Sequence, residues 1–147
     1  MYQKNILLFM LVRCLNIVTM RKLILIDDNK DILAMWKMYL EKHGFDLLTL
    51  ESGSDFESYF ESNPSLEGID CIISDESLKD DLGTNLYQMV LDKGISIPFI
   101  IISGYSREEI ASKVKSPEKL QILKKPISLQ DLKDVIDQTL GGETIVY

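Results

Sequence analysis

Five side chains that could do chemistry follow apolar runs of this chain, at the points where those runs end. Asp27 and Asp28 come directly after "KLILI", and Asp75 comes after "IDCIIS". Ser103 ends "IPFIIIS", and Lys125 ends "QILKK". Taken singly, each has an ordinary explanation, because carboxylates cap helices and short polar side chains occur in turns. Three carboxylates, a hydroxyl and an amine at equivalent positions instead indicate one site.

Phosphoryl transfer is the chemistry that uses all of these groups. Carboxylates held about 4–6 Å apart raise one another's pKa unless a cation is present. Mg2+ meets this need, because it binds one or two carboxylates, keeps several waters and accepts phosphate oxygens. Such an ion would let a phosphoryl donor approach Asp75 as a carboxylate nucleophile. Lys125 could then pair with one phosphoryl oxygen, and the Ser103 hydroxyl could donate to another.

The elements that must position these residues are short apolar runs that alternate with helical periodicity from Met20 onward. Runs rich in Ile and Leu are typical of parallel strands covered on both faces. The five predicted strands contain "KLILI", "DLLTL", "IDCIIS", "IPFIIIS" and "QILKK". The five predicted helices run from about 29 to 43, from a capping box at Ser54 and Glu57 to Pro64, from 85 to 94, from a capping box at Ser106 and Glu109 through Val114, and from 128 to 141.

This alternation predicts an α/β fold, a doubly wound five-stranded parallel sheet with helices on both faces. Ligands of such sheets bind beyond the carboxyl ends of the strands, near the point where the strand order reverses. The predicted topology therefore brings the five polar side chains to the same edge.

Composition restricts the class of protein. A chain of 147 residues with 46% hydrophobic and 27% charged residues has an ordinary balance for one compact domain. The formal net charge of -7 argues against nucleic acid as a partner, since phosphate backbones are bound by clustered Lys and Arg. Cys14 and Cys71 form neither a disulfide framework nor a zinc-binding spacing, which favours a cytoplasmic location.

Residues 1–19 form an apolar extension that is interrupted by Arg13 and Asn16. It falls short of the roughly 20 apolar residues that span a bilayer, so a transmembrane helix is not expected. One interpretation is that Met20 is the true start and that the extension lies upstream of it. The others are an extra helix that docks on this domain or a partner, and a weak export signal, although no small-residue cleavage site follows.

Residues 20–141 resemble the receiver domain of bacterial two-component response regulators. The residues that carry the resemblance are Asp27, Asp28, Asp75, Gly83, Ser103 with Gly104 and Tyr105, and Lys125 before Pro126. The resemblance implies a CheY-like, flavodoxin-like (βα)5 fold. It implies a phosphoprotein that takes a phosphoryl group onto Asp75 from a histidine kinase or a histidine phosphotransfer protein and then dephosphorylates itself. The catalysis would be limited to those two self-directed reactions, so this is not a conventional enzyme.

The resemblance also implies a role for each site residue. The implied Mg2+ ligands are Asp27 through a water, Asp28, Asp75 and the backbone carbonyl of Ser77. Lys125 and Ser103 would contact the phosphoryl group. Tyr105, two residues beyond Ser103, would be a switch aromatic that turns inward when the hydroxyl moves toward the phosphoryl group.

Several features depart from the family's pattern or extend it. Lys79 stands where a proline is usual in the loop after Asp75, so that loop is expected to differ. The stretch "KVKSPEKLQIL" lacks the usual glycine-alanine turn, which puts the fourth helix in doubt. A cis bond before Pro126 would aim Lys125 at the site, with Lys124 pointing the opposite way along the strand.

Two classes of function remain open from the sequence. The tail 142–147 is too short for an output domain, so a phosphoacceptor of this kind would signal to an unknown downstream effector protein. The alternative is a receiver-fold interaction module that binds its partner regardless of phosphorylation. An unrelated Mg2+-dependent phosphohydrolase is disfavoured, because no substrate cap or second catalytic acid is evident.

Overall fold

One parallel sheet of five strands organises the protein, as the sequence predicts. The computed structural model describes Leu7 and residues 20–141, so the predictions for the extension and for the tail 142–147 fall outside that main range. The strands are β1 (Arg21–Ile26), β2 (Phe45–Leu50), β3 (Cys71–Asp75), β4 (Phe99–Ser103) and β5 (Leu120–Lys124). Their order across the sheet is β2-β1-β3-β4-β5, and every pairing is parallel. The order therefore reverses between β1 and β3, which places a ligand crevice at the carboxyl ends of those two strands.

Helices alternate with the strands. They are α1 (Lys30–Lys42), α2 (Gly53–Ser62), α3 (Gly83–Asp92), α4 (Arg107–Ala111) and α5 (Leu129–Thr139), with a 3-10 turn at Pro117–Lys119. Asn29 caps α1, because its side chain accepts from the backbone N–H groups of the first turn. The N-terminal end of α1 is thus fixed at Asn29, three residues after β1 and beside the predicted site.

The core consists of two apolar layers, one on each face of the sheet. Ile24 and Ile26 of β1 pack with residues of α2, α3 and α4, whereas Leu23 and Leu25 pack with α1 and α5. All four side chains are fully buried. Since burying a Leu or Ile side chain contributes about 1.5–3 kcal/mol, a strand covered on both faces is firmly held. This rigidity fixes the residues at the strand ends.

Two local predictions were wrong. The N-cap of α2 is Ser52, not Ser54, because Ser52 has an extended backbone and its side chain accepts from the Asp55 N–H. The side chain of Asp80 occupies the remaining amides of that helix end, including that of Ser54. The capping box at Ser106 and Glu109 is confirmed.

The fourth helix ends at Ala111 instead of continuing through Val114. The hydroxyl of Ser112 donates to the Glu109 carbonyl at 2.7 Å and so occupies a helical acceptor. Pro117 disfavours helical geometry at the residue before it, and Ser116 is left-handed with φ of 54°. The chain from Ser112 to Ser116 is consequently irregular.

Candidate functional site

Three carboxylates meet at the carboxyl ends of β1 and β3. Asp27 and Asp28 follow β1, and Asp75 is the last residue of β3. Because these strands are neighbours, one oxygen of each carboxylate lies within 4.8 Å of an oxygen of the other two. Asp27 and Asp75 are buried and Asp28 is half-buried. The cluster thus has one partly solvated side from which a ligand can approach.

Lys125 supplies the positive charge of the site. It directly follows the edge strand β5, and its ammonium lies 2.5 Å from a carboxylate oxygen of Asp75. Its backbone N–H donates to the Ser103 carbonyl at 2.7 Å, which extends the pairing of β5 with β4. The Lys125–Pro126 peptide bond is cis, as predicted. Lys124 is exposed and makes no ion pair with any residue in the described part of the chain.

The hydroxyl of Ser103 is buried at the end of β4, the strand next to β3. Its oxygen accepts the backbone N–H of Tyr105 at 3.0 Å. An oxygen that accepts in this way still carries its own proton, so the hydroxyl is free to donate to a ligand at the edge.

Burial and like charge act together on Asp27. Desolvation raises the pKa of its carboxyl above the ordinary 3.8, and the neighbouring carboxylates of Asp75 and Asp28 raise it further. The backbone N–H of Asn29, which donates to Asp27 at 2.8 Å, and the Lys125 ammonium oppose this rise. The three carboxylates repel one another when all are ionised, and a hard divalent cation with oxygen ligands would offset that repulsion.

The loop from 76 to 83 carries the remaining predicted ligand. Ser77 is exposed and pairs with Leu82 in a short antiparallel bridge, while Leu78 is buried. The carbonyl of Glu76 accepts the N–H of Gly83, which closes the loop at 2.9 Å. A Cβ atom on Gly83 would lie 2.6 Å from the Asp75 carbonyl oxygen, so glycine is required by this close approach. The loop is well held although Lys79 replaces the usual proline.

Tyr105 lies outside the carboxylate cluster. Its side chain is 51% exposed, and the Lys113 ammonium lies 5.1 Å from the centre of its ring. The inward movement of Tyr105 stays a prediction.

Sequence reasoning missed Glu76, whose side chain is buried beside the site. Its carboxylate accepts from Thr84 and pairs with Lys113. A second acid directly after Asp75, at the end of β3, was the available signal for Glu76. No sequence pattern pointed to Lys113, since it lies 37 residues further along the chain.

A separate cavity lies elsewhere in the part of the chain that the structure describes. It has a volume of about 610 Å3 and is lined by residues at the starts of β4 and β5, including Phe99 and Leu120. That is the opposite edge of the sheet, and the cavity is separate from the carboxylate cluster.

Comparison with known proteins agrees with this fold. A family description, response regulator receiver domain, matches residues 23–137, so the chain belongs to the receiver domain family of response regulators. A receiver domain protein of Clostridium thermocellum superposes with a TM-score of 0.70 at 26% identity, covering 83% of this chain and 95% of that one. Receiver domains of this family work with histidine kinases and downstream effectors.

Two curated relatives are regulators of greater length. The transcriptional regulatory protein TdiR of Thauera aromatica is 24% identical over 116 residues, which are 79% of this chain and 49% of TdiR. The response regulator SaeR of Staphylococcus epidermidis is 26% identical over 113 residues, 77% of this chain and 47% of SaeR. The chain therefore spans about half the length of these relatives. Within the described residues, no helix is long and apolar enough to cross a membrane.

Proposed function

We propose that this protein is the phosphoacceptor of a two-component phosphorelay and that it is phosphorylated on Asp75 in a Mg2+-dependent reaction. The observation that carries the proposal is the set of groups around Asp75. The Lys125 ammonium lies 2.5 Å from one of its carboxylate oxygens, and two further carboxylates each have an oxygen within 4.8 Å of an Asp75 oxygen. A histidine kinase or a histidine phosphotransfer protein would supply the phosphoryl group. A downstream effector protein would receive the signal, and the cytoplasmic location stays a prediction.

The transfer is a displacement at phosphorus. A carboxylate oxygen of Asp75 attacks the phosphorus of the donor phosphohistidine, and the bond from phosphorus to the imidazole nitrogen breaks with its electron pair returning to the ring. Self-dephosphorylation reverses the roles, because a water oxygen attacks phosphorus and the Asp75 carboxylate leaves. The products of this second step are inorganic phosphate and the original carboxylate.

Lys125 and Ser103 would stabilise the negative charge that a phosphoryl group adds at this edge of the sheet. A phosphoryl group brings a charge of about -1.5 to -2 and three strong acceptor oxygens. The Lys125 ammonium already contacts Asp75, so it is placed to pair with one of those oxygens. The Ser103 hydroxyl, whose oxygen accepts from the Tyr105 N–H, would donate a hydrogen bond to another.

The carboxylate cluster would hold the cation. Asp28 and Asp75 would bind it directly, Asp27 through a water, and the Ser77 carbonyl would complete the protein ligands. Mg2+, when bound, offsets the negative charge of the carboxylates and of the incoming phosphoryl oxygens.

Movement of Ser103 toward the phosphoryl group would transmit the signal. Because the Tyr105 N–H donates a hydrogen bond to that hydroxyl, a shift of Ser103 would also move the backbone of Tyr105. An inward turn of the exposed Tyr105 ring would then alter the surface that the effector meets.

The test is the mass of the intact protein after incubation with acetyl phosphate. Wild type should gain the mass of one phosphoryl group in Mg2+ and none in EDTA, and Asp75→Asn should gain none in either. Asp46→Asn is the matched control, because Asp46 is an exposed carboxylate near the start of β2, whereas Asp75 lies at the end of β3. Circular dichroism checks that each variant is folded.

The outcome decides between the two classes of function. A labile adduct that requires both Mg2+ and Asp75 supports the phosphoacceptor. Folded wild-type protein that binds Mg2+ but gains no mass refutes it and favours the phosphorylation-independent interaction module.

A further inference from the structure

The loop that follows β3 is closed by two backbone hydrogen bonds, one on each side of Ser77. The Gly83 N–H donates to the Glu76 carbonyl at 2.9 Å, and the Leu78 N–H donates to the Asp81 carbonyl at 3.1 Å. Neither bond uses the Ser77 carbonyl, which accepts no backbone hydrogen bond within the part of the chain that the structure describes. This conformation of the loop therefore leaves that oxygen available to a cation.

Asp80, at the tip of the same loop, is hydrogen-bonded to a different element, the N-terminal end of α2. One of its carboxylate oxygens accepts the Gly53 N–H at 2.9 Å, and the other accepts the Ser54 N–H at 2.8 Å. The first N–H groups of an α-helix have no acceptor within the helix, so a carboxylate from outside is a favourable partner for them. The tip of the loop is thereby tied to the helix that follows β2.

The loop also packs closely against that helix. A Cβ atom on Gly53 would lie 2.7 Å from the Asp81 Cβ, so the absence of a side chain at Gly53 is what permits this approach. At the other end of the loop, the Glu76 carboxylate accepts from the backbone N–H and the hydroxyl of Thr84, in the first turn of α3. The loop is consequently fixed between the N-terminal ends of two helices.

The sequence has Lys79 in this loop where receiver domains usually have a proline. A proline would restrict the loop through its own backbone, since its ring fixes φ at about -65°. Lys79 is exposed and has no such ring. The next residue, Asp80, restricts the loop in another way, through two hydrogen bonds to a separate helix.

We propose that Asp80 is a positioning residue for the divalent cation, because it ties the loop to α2 and so preserves the conformation in which the Ser77 carbonyl is free to bind Mg2+. This inference rests on the proposed function, and it gives a role to a residue outside the carboxylate cluster. Loss of a group that is bonded directly to a metal ligand weakens metal binding by roughly 10- to 100-fold. Asp80 acts one step further away, through the loop backbone, so the dissociation constant for Mg2+ should rise by about three- to tenfold in Asp80→Ala.

Titration of the full chain with Mg2+ alone measures that dissociation constant without any phosphoryl donor. The amide signals of Asp27 and Asp75 report the binding. The constant should rise from wild type to Asp80→Asn and again to Asp80→Ala, since an Asn side chain keeps only one of the two acceptor oxygens. Hydrogen exchange in EDTA gives a second readout, because the amides of Leu78 and Gly83 should exchange faster in both variants once the loop is less firmly held.

Two further variants separate positioning from stability and from charge. Ser52→Ala removes the hydrogen bond that the Ser52 side chain accepts from the Asp55 N–H, which caps α2 but does not involve the loop. It should lower the thermal midpoint and leave the dissociation constant for Mg2+ unchanged. Gly53→Ala changes no charge, but its Cβ would push the loop away from α2, so it should weaken Mg2+ binding although Asp80 is intact.

The failures are distinguishable. If the wild-type amides of Asp27 and Asp75 do not respond to Mg2+, the Mg2+ dependence in the proposed function fails and this inference fails with it. If they respond but Asp80→Ala binds Mg2+ as tightly as wild type, the inference alone is overturned. It is also overturned if Ser52→Ala weakens Mg2+ binding as much as Asp80→Ala does, or if Gly53→Ala binds Mg2+ as tightly as wild type.

Discussion

Replacing Asp27 with Asn should stabilise the fold at neutral pH when divalent cations are absent. Asp27 is 2% exposed, and one of its oxygens lies within 4.8 Å of an oxygen of Asp75. Two unit charges at about that distance repel by roughly 3.5 kcal/mol at an effective dielectric constant of about 20. Lys125 offsets part of this repulsion, so we expect the free energy of unfolding to rise by about 1–3 kcal/mol. The Asn oxygen can still accept the N–H of Asn29.

The pH dependence gives the prediction its sign. Burial and the neighbouring carboxylates raise the pKa of Asp27, so the folded protein keeps that proton at a pH where the unfolded chain has lost it. Wild-type stability should therefore fall as pH rises from about 3.8 through the raised pKa of the folded state, and the Asn variant should lack this fall. The difference in the free energy of unfolding between the two proteins is largest at a pH above the raised pKa of Asp27.

Urea unfolding in EDTA between pH 4 and 7 measures this gap. Mg2+ should narrow it at pH 7, because an ion that binds only the folded state stabilises the wild type by mass action. Asp46→Asn, a change at an exposed carboxylate of β2, should stay within about 0.5 kcal/mol of wild type. An Asp27→Asn protein that is less stable than wild type at pH 7 in EDTA would refute the reasoning. A difference in the free energy of unfolding that does not change with pH would refute it as well.

Three further predictions concern other parts of the fold. Gly83→Ala places a Cβ 2.6 Å from the Asp75 carbonyl oxygen and should lower the free energy of unfolding by about 1–3 kcal/mol in urea titrations, whereas Gly104→Ala, with no atom within 4 Å of the new Cβ, should not. Asp80→Asn should lower the thermal midpoint at pH 7, and by progressively less as the pH falls below 3.8. The reason is that hydrogen bonds from the α2 amides lower the pKa of Asp80, so their contribution is lost as the pH falls through that lowered pKa. Cys71, whose pKa burial raises to about 12, should resist alkylation at pH 8 in the folded protein and react after unfolding, in a variant whose other cysteine is Ser. Equal thermal midpoints for wild type and Asp80→Asn at pH 7 would contradict the second prediction, and rapid alkylation of native Cys71 would contradict the third.

The sequence by itself determined the strands and the edge at which the site forms. The inner strands β1, β3 and β4 are short runs rich in Ile and Leu, and such runs are typical of parallel strands buried between two layers of helices. Once the order of elements is known, the residues that end β1, β3, β4 and β5 must share one edge, because parallel strands point the same way. The sequence therefore predicts that Asp27, Asp75, Ser103 and Lys125 lie at one edge. The structure brings Asp27 and Lys125 close to Asp75 and has Ser103 at the end of the neighbouring strand.

Helix ends were less predictable, since several residues compete for the same amides. Ser54 and Glu57 have the spacing of a capping box, yet Ser52 caps α2 while Asp80 binds the amides beside it. The Asp80 carboxylate comes from a loop far along the chain, so no local sequence pattern could predict that it binds these amides. The early end of α4 has a similar origin in the competition between a serine hydroxyl and the helical hydrogen bonds.

Only the tertiary structure decided how the residues around the site are connected. Glu76 follows a strand whose residues alternate between faces, so its carboxylate is buried on one face while Asp75 meets the ligand edge. Lys113 reaches Glu76 because α4 ends at Ala111 and the chain after it is hydrogen-bonded to α3. Contacts of this kind join residues that are 37 positions apart, and their existence depends on packing distances that spacing along the chain does not contain. The sequence thus specifies which groups stand at the edge, and the packed fold specifies which of them are linked to the surface beyond it.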